Sequence, residues 1–188
     1  LEALDLSFKG LQPSTAEDVA AVLAHCPSLR ELDLSRNPLG AMGLVSALAQ
    51  PASASSTRMA LSKLVISETD IDGSAIVALA DDVAADRDGP LRALHSLQIS
   101  RNPAIGDCAS VGRLLSSLPT VQEFHAQGCG LGASAGAALG PALTAAKHLR
   151  ELKLNDNPSL FGNPADNMTA VGSDAPNAPN APKAAVDT

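Results

Sequence analysis

The sequence repeats one apolar pattern, Leu-x-x-Leu-x-Leu, along most of its length. Copies begin at positions 1, 29, 61, 94, 121 and 149, so successive starts are 28, 32, 33, 27 and 28 residues apart. Recurrence at a period of about 20 to 50 residues is typical of solenoids, in which each repeat buries its apolar face against its neighbours. The pattern predicts about six short strands, one at each start, stacked side by side.

A second position keeps the same register, eight residues after each start. Its occupants are Lys9, Asn37, Thr69, Asn102, Cys129 and Asn157. A buried Asn amide can bond the backbone groups that a turn leaves unpaired. We therefore predict a structural ladder down the stack, formed by Asn37, Asn102, Cys129 and Asn157.

The remainder of each repeat carries apolar residues at i, i+3, i+4 and i+7, which form one stripe on a helix. The stripes are Val19, Val22, Leu23, Cys26; Ala41, Leu44, Val45, Leu48; Ile76, Leu79, Ala80, Val83; Val111, Leu114, Leu115, Leu118; and Leu139, Ala142, Leu143, Ala146. Pro141 lies inside the fifth stripe, and we expect it to kink that helix or delay its start. The segments 50–58 and 86–90 are rich in turn formers and are interpreted as surface insertions in the two longest repeats.

The runs LRELDLSRNPLG (29–40) and LRELKLNDNPSLFG (149–162) resemble leucine-rich repeats of the ribonuclease-inhibitor type. The resemblance covers residues 1–162 and implies an α/β leucine-rich-repeat solenoid. In such a solenoid, parallel strands line the concave face and helices cover the convex face. Residues 163–188, which contain APNAPNAPKAA, lack an apolar period, and we interpret them as a Pro/Ala/Asn-rich flexible tail.

Charge and cysteine content restrict the classes of partner. A formal net charge of -7 argues against nucleic acid and against an anionic membrane as partner. Cys26, Cys108 and Cys129 have no metal-ligand spacing and are expected to be core thiols of a cytoplasmic protein. The sequence contains no G-x-S-x-G, phosphate-binding glycine loop or H-E-x-x-H, so we expect neither catalysis nor a metal or other cofactor.

Side chains alternate along a strand, so the residues between the consensus leucines should face the concave surface. We predict that a protein partner binds there, through the long or charged side chains of Asp33, Arg36, Lys63, Gln98, Arg101, His125 and Lys153. The resemblance leaves an alternative open, because related families include Ran GTPase-activating proteins and capping-protein regulators of the CARMIL type. An acidic block downstream of the repeats would favour the first, and a proline-rich regulatory tail with capping-protein motifs the second.

Overall fold

A computed structural model of the chain describes residues 1–48, 59–86, 89–133 and 135–162. Short strands alternate with helices through these residues. The strands are β1 (Ala3–Asp5), β2 (Glu31–Asp33), β3 (Lys63–Val65), β4 (Ser96–Gln98), β5 (Glu123–His125) and β6 (Glu151–Lys153). The α-helices are α1 (Ala16–Leu23), α2 (Gly40–Leu48), α3 (Gly73–Ala85), α4 (Cys108–Ser117) and α5 (Ala135–Ala145), with 3-10 turns at Pro13–Thr15 and Pro103–Ile105.

The strands form one parallel sheet in the order β1-β2-β3-β4-β5-β6, which confirms the predicted solenoid fold. Each strand pairs with the next in the register of the repeat, so that Leu4, Leu32 and Leu64 lie opposite one another. Because each helix returns the chain to the neighbouring strand, consecutive helices also pack side by side. The sheet and the helices are therefore two layers, and the core lies between them.

The consensus positions of the repeat form this core. The apolar residues at the first, fourth and sixth positions are buried in the four inner repeats, where Phe124 of β5 fills the fourth position with no exposed surface. Two stripe residues depart from the expected pattern, because Val22 is 54% exposed and Leu143 is 40% exposed. Val22 occupies the i+3 position of its stripe and Leu143 the i+4 position.

Helices α3 and α4 each begin after an aspartate that caps them. In α3 the Asp72 side chain accepts a hydrogen bond from the Ala75 amide at 3.0 Å, and Asp107 accepts one from Ser110 at 2.6 Å at the start of α4. Helix α5 begins before Pro141 and continues through it, so the expectation of a delayed start is wrong. Proline removes the bond to the carbonyl of Ala137, but Ala137 is exposed and water can replace that donor.

Three expectations fall wholly or partly outside the described residues. They concern the insertion 50–58, part of the insertion 86–90, and the tail 163–188. The boundary between solenoid and tail at residue 162 stays a prediction.

Candidate functional site

The register of the sheet aligns the concave side chains in columns. The central column contains Asp5, Asp33, Val65, Gln98, His125 and Lys153, each opposite the next across adjoining strands. The preceding column lies two residues earlier along each strand, and in it Lys63 lies between Glu31 and Ser96. Opposed side chains on neighbouring strands are about 5 Å apart, so a partner on this face meets several repeats at once.

A further column follows at the turn that ends each strand. Its residues all have a left-handed backbone, with φ from 54° to 62°: Phe8, Arg36, Glu68, Arg101, Gly128 and Asp156 (φ 59°). The left-handed region is unfavourable for residues other than glycine, so hydrogen bonds from neighbouring groups must stabilise this backbone conformation. The turn amides of the first five repeats each provide one; for example, Arg36 N donates to the Ser67 carbonyl at 2.9 Å and Glu68 N to that of Ser100 at 3.0 Å.

Behind this turn, buried amides connect successive repeats. Nδ2 of Asn102 donates to the carbonyls of Ile66 and Ile99, both at 2.9 Å, while its Oδ1 accepts from the Thr69 amide at 2.9 Å. In the same way, Oδ1 of Asn157 accepts hydrogen bonds from the backbone amides of Cys129 and Leu131, at 2.9 and 3.1 Å. These bonds fix the turn, and thereby fix the direction in which the side chains of the turn column leave the backbone.

Three charged side chains of the turn column form a row across β2, β3 and β4. Glu68 Oε1 lies 3.1 Å from Nη1 of Arg101 and 3.7 Å from Nε of Arg36. The arginine side chains are 71% and 61% exposed, and Glu68 is 37% exposed. Each guanidinium has five N–H donors, and the shared Glu68 carboxylate uses few of them. Most of the donors of each arginine are therefore available to a partner. We call Arg36, Glu68 and Arg101 the rim row.

The concave face has two adjoining depressions next to the rim row. One, of about 200 Å³, lies over β1, β2 and β3, with Asp5, Glu31 and Lys63 among its lining residues. The other, of about 370 Å³, extends to the turns and is lined by residues that include Phe8, Arg36, Glu68 and Gln98. Asp33 and Val65 line both, so the two depressions adjoin at these side chains. We call them together the joined hollow.

A separate cluster occupies the other end of the face. Lys153 Nζ lies 2.6 Å from Glu151 Oε1, which is also 3.7 Å from Nε2 of His125. The His125 side chain is only 12% exposed, and its Nε2 atom is buried without a hydrogen-bond partner. Burial lowers the pKa of His125, and Lys153 lowers it further, although Glu151 and Glu123 act in the opposite direction.

The residues predicted to bind a partner thus divide between two places. The joined hollow is lined by four of them: Asp33, Arg36, Lys63 and Gln98. Arg101 lies next to the hollow, where it forms an ion pair with the lining residue Glu68. His125 and Lys153 belong to the cluster on β5 and β6, and His125 is largely buried. The predicted set omitted Phe8, Val65 and Glu68. The repeat register could have identified Glu68, because it occupies the same repeat position as Arg36 and Arg101.

In the described part of the chain, no group of three or more His, Cys, Asp or Glu side chains could hold a metal ion. None of the helices described there is long and apolar enough to cross a bilayer. Cys129 is fully buried, and desolvation raises the pKa of its thiol to about 11, so it is a poor nucleophile.

Comparison with known proteins agrees with this architecture. Residues 25–46 match the family described as "Leucine Rich repeat". The chain is similar to a protein named "Ribonuclease inhibitor" from Sus scrofa, with 32% identity over 166 residues. That alignment covers 84% of this chain but 33% of the relative, so the chain spans about a third of the length of the curated relative that it matches.

Proposed function

Since the chain belongs to the leucine-rich-repeat proteins and is similar to ribonuclease inhibitor, we propose that it is a protein-binding module whose partner occupies the concave sheet face. The joined hollow, which extends over β1, β2 and β3 and borders the exposed arginines of the rim row, is the observation that carries the proposal. A parallel sheet holds these side chains at fixed spacing, so little conformational entropy is lost when several of them contact one partner.

The proposed activity is binding rather than catalysis. The concave face combines open guanidinium donors, carboxylates and the apolar Val65, which together suit a polar protein surface with an apolar anchor. We further propose that the protein acts in the cytoplasm. Cys26, Cys108 and Cys129 are free thiols, two of them buried, and this suits a reducing compartment.

The experiment compares the two faces of the solenoid. The whole chain is immobilised and used to capture proteins from an extract, in parallel with an Arg36→Ala/Arg101→Ala variant. An Asp81→Ala/Asp82→Ala variant, altered on the exposed convex surface of α3, is the matched control. Circular dichroism verifies that all three are folded.

We expect a specific partner to be retained by the parent and by the convex variant. The arginine variant should bind it more weakly by about 1 to 4 kcal/mol, the usual cost of truncating strong interface residues. Isothermal titration with the purified partner measures the difference. If the convex variant loses binding while the arginine variant keeps it, the partner occupies the helical face and the proposal is wrong.

A further inference from the structure

The joined hollow has opposite charge at its two sides. On β1 and β2, the carboxylates of Asp5, Glu31 and Asp33 outnumber the single cation, Lys63 on β3. At the turns, the two guanidinium groups of the rim row outnumber the carboxylate of Glu68. Fixed charges act mainly over a Debye length of about 8 Å at physiological salt, so each side presents its own local sign to a partner.

An apolar side chain, Val65 on β3, lies between Asp33 of β2 and Gln98 of β4, and Gln98 precedes Arg101 by three residues. Val65 belongs to the central column, is partly exposed, and lines both depressions. The other members of that column are polar or charged. Phe8, which is 80% exposed, adds an aromatic surface to the wall of the larger depression. On the diagonal from β1 to the turn after β4, the hollow and its rim therefore present first carboxylates, then Val65, and then the Arg101 guanidinium.

We propose that the joined hollow binds an extended segment of a protein partner that carries a cation at one end, an apolar side chain in the middle and a carboxylate at the other end. The carboxylate contacts Arg36 and Arg101, the apolar group packs on Val65, and the cation contacts Asp33 with Asp5 or Glu31. This inference rests on the proposed function, because it identifies the ligand of the same concave face.

The length of such a segment follows from the sheet. Asp33 lies two strands away from Gln98 in the same column, and Arg101 follows Gln98 by three residues. Two strand spacings of about 4.8 Å and a rise of about 3.3 Å per residue put Asp33 and Arg101 about 14 Å apart. An extended partner segment rises by a similar amount per residue, so its two charges should be about four residues apart, with three residues between them.

The carboxylates on the acidic side are suitably placed to accept a cation. Ser35 donates to Asp33 through its amide, at 2.8 Å, and through its hydroxyl, and both bonds reach Oδ1. Ser7 donates its amide to Oδ1 of Asp5 at 2.8 Å. In each residue these bonds orient the carboxylate without involving Oδ2. Substitution by Asn keeps an acceptor at Oδ1 and removes only the charge, which makes it a clean test.

The test uses short peptides as probes of charge order. The peptide Glu-Thr-Val-Thr-Lys, acetylated and amidated, carries both charges on β-branched residues that favour an extended backbone. Control peptides replace Glu by Gln, Lys by Gln, or both. Each is titrated into the isotopically labelled whole chain at low ionic strength, and the affinity and the location of the chemical-shift changes are read by NMR.

We expect the doubly charged peptide to bind about two- to fivefold tighter than either singly charged control, as is usual for one exposed ion pair. Arg36→Gln/Arg101→Gln should weaken only the peptides that contain Glu, by a similar factor. Asp33→Asn should weaken only those that contain Lys. Glu68→Gln removes the carboxylate that competes for both arginines, and it should strengthen binding of the peptides that contain Glu.

The outcomes separate this inference from the proposed function. If all four peptides perturb β1 to β4 with equal affinity, or if the variants act regardless of peptide charge, the charge order is wrong although the concave face still binds. If the charged peptides instead perturb α3 and α4, the concave face is not the binding surface and both proposals are overturned.

Discussion

Replacing Asn102 by alanine should destabilise the solenoid from its centre. The Asn102 side chain is fully buried and makes hydrogen bonds to groups of two repeats. The alanine methyl group cannot replace any of these bonds, and the stack around it leaves little room for water. The cost therefore depends on which of the bonded groups retain another partner.

The three bonded groups differ in this respect. The Ile66 carbonyl retains the hydrogen bond from the Thr69 hydroxyl at 2.8 Å, and the Ile99 carbonyl retains a weaker one from the Cys129 thiol at 3.3 Å. The Thr69 amide donates to Asn102 Oδ1, and it is the group left without its acceptor. One buried unsatisfied amide costs about 1 to 3 kcal/mol, and the two weakened carbonyls add to it. We expect Asn102→Ala to lower the free energy of unfolding by about 2 to 3 kcal/mol.

Urea denaturation followed by circular dichroism measures this loss. For a domain of this size the slope is about 2 kcal/mol per molar urea, so the midpoint should fall by about 1 to 1.5 M. Asn37→Ala should cost less, because its Oδ1 accepts from the amides of Lys9 and Leu11 in the partly exposed first repeat, where water can substitute. Lys9→Ala, at the exposed equivalent position, is the neutral control. An unchanged midpoint for Asn102→Ala, or a larger shift for Asn37→Ala, would refute the assignment of this stability to the hydrogen bonds of Asn102.

Four further changes test other contacts. Gly112→Ala should destabilise by about 1 to 2 kcal/mol, because its Cβ would lie 2.5 Å from the Ala138 carbonyl oxygen. Gly136→Ala, with no atom within 4 Å of the new Cβ, should stabilise by about 0.5 to 1 kcal/mol in thermal unfolding. Burial raises the pKa of Cys129 to about 11 from 9.0, so the unfolded thiol ionises first and stability falls above pH 9. Cys129→Ala should flatten that decline in urea titrations at several pH values. The pKa of His125 is lowered, so stability should fall as the pH drops below the ordinary value of 6.5, and His125→Gln should lessen that fall.

The fold could be predicted from the sequence because its core repeats. A leucine that faces the core in one repeat must face it in the next, so six weak signals reinforce one another. The same register located the strand of the degenerate fifth repeat, where Val121, Phe124 and Ala126 are all fully buried. The exposure of Val22 and Leu143 could not be predicted, since apolar spacing gives the direction of a stripe but not its width.

The candidate site was less accessible to sequence reasoning. The columns of concave residues followed from alternation along each strand, and the pairing of β1 to β6 reproduces them. The burial of His125 did not follow, because it depends on the neighbouring side chains of Glu151 and Lys153. The hollow at Val65 did not follow either. A depression exists where neighbouring side chains are too short to fill the surface, and that is a property of several repeats together.

Stability and recognition use different atoms of the same turn, and so they can vary independently. The backbone amides of Arg36 and Glu68, which donate to the carbonyls of Ser67 and Ser100, connect one repeat to the next together with the buried side-chain amide of Asn102. The side chains that leave this backbone at Arg36, Glu68 and Arg101 contribute little to stability, because exposed ion pairs are worth about 0 to 1 kcal/mol. Their charge could therefore change without loss of the solenoid, whereas a change at Asn102 could not be tolerated in the same way. We expect substitutions in the rim row to alter binding at constant stability, and those in the ladder to alter stability first.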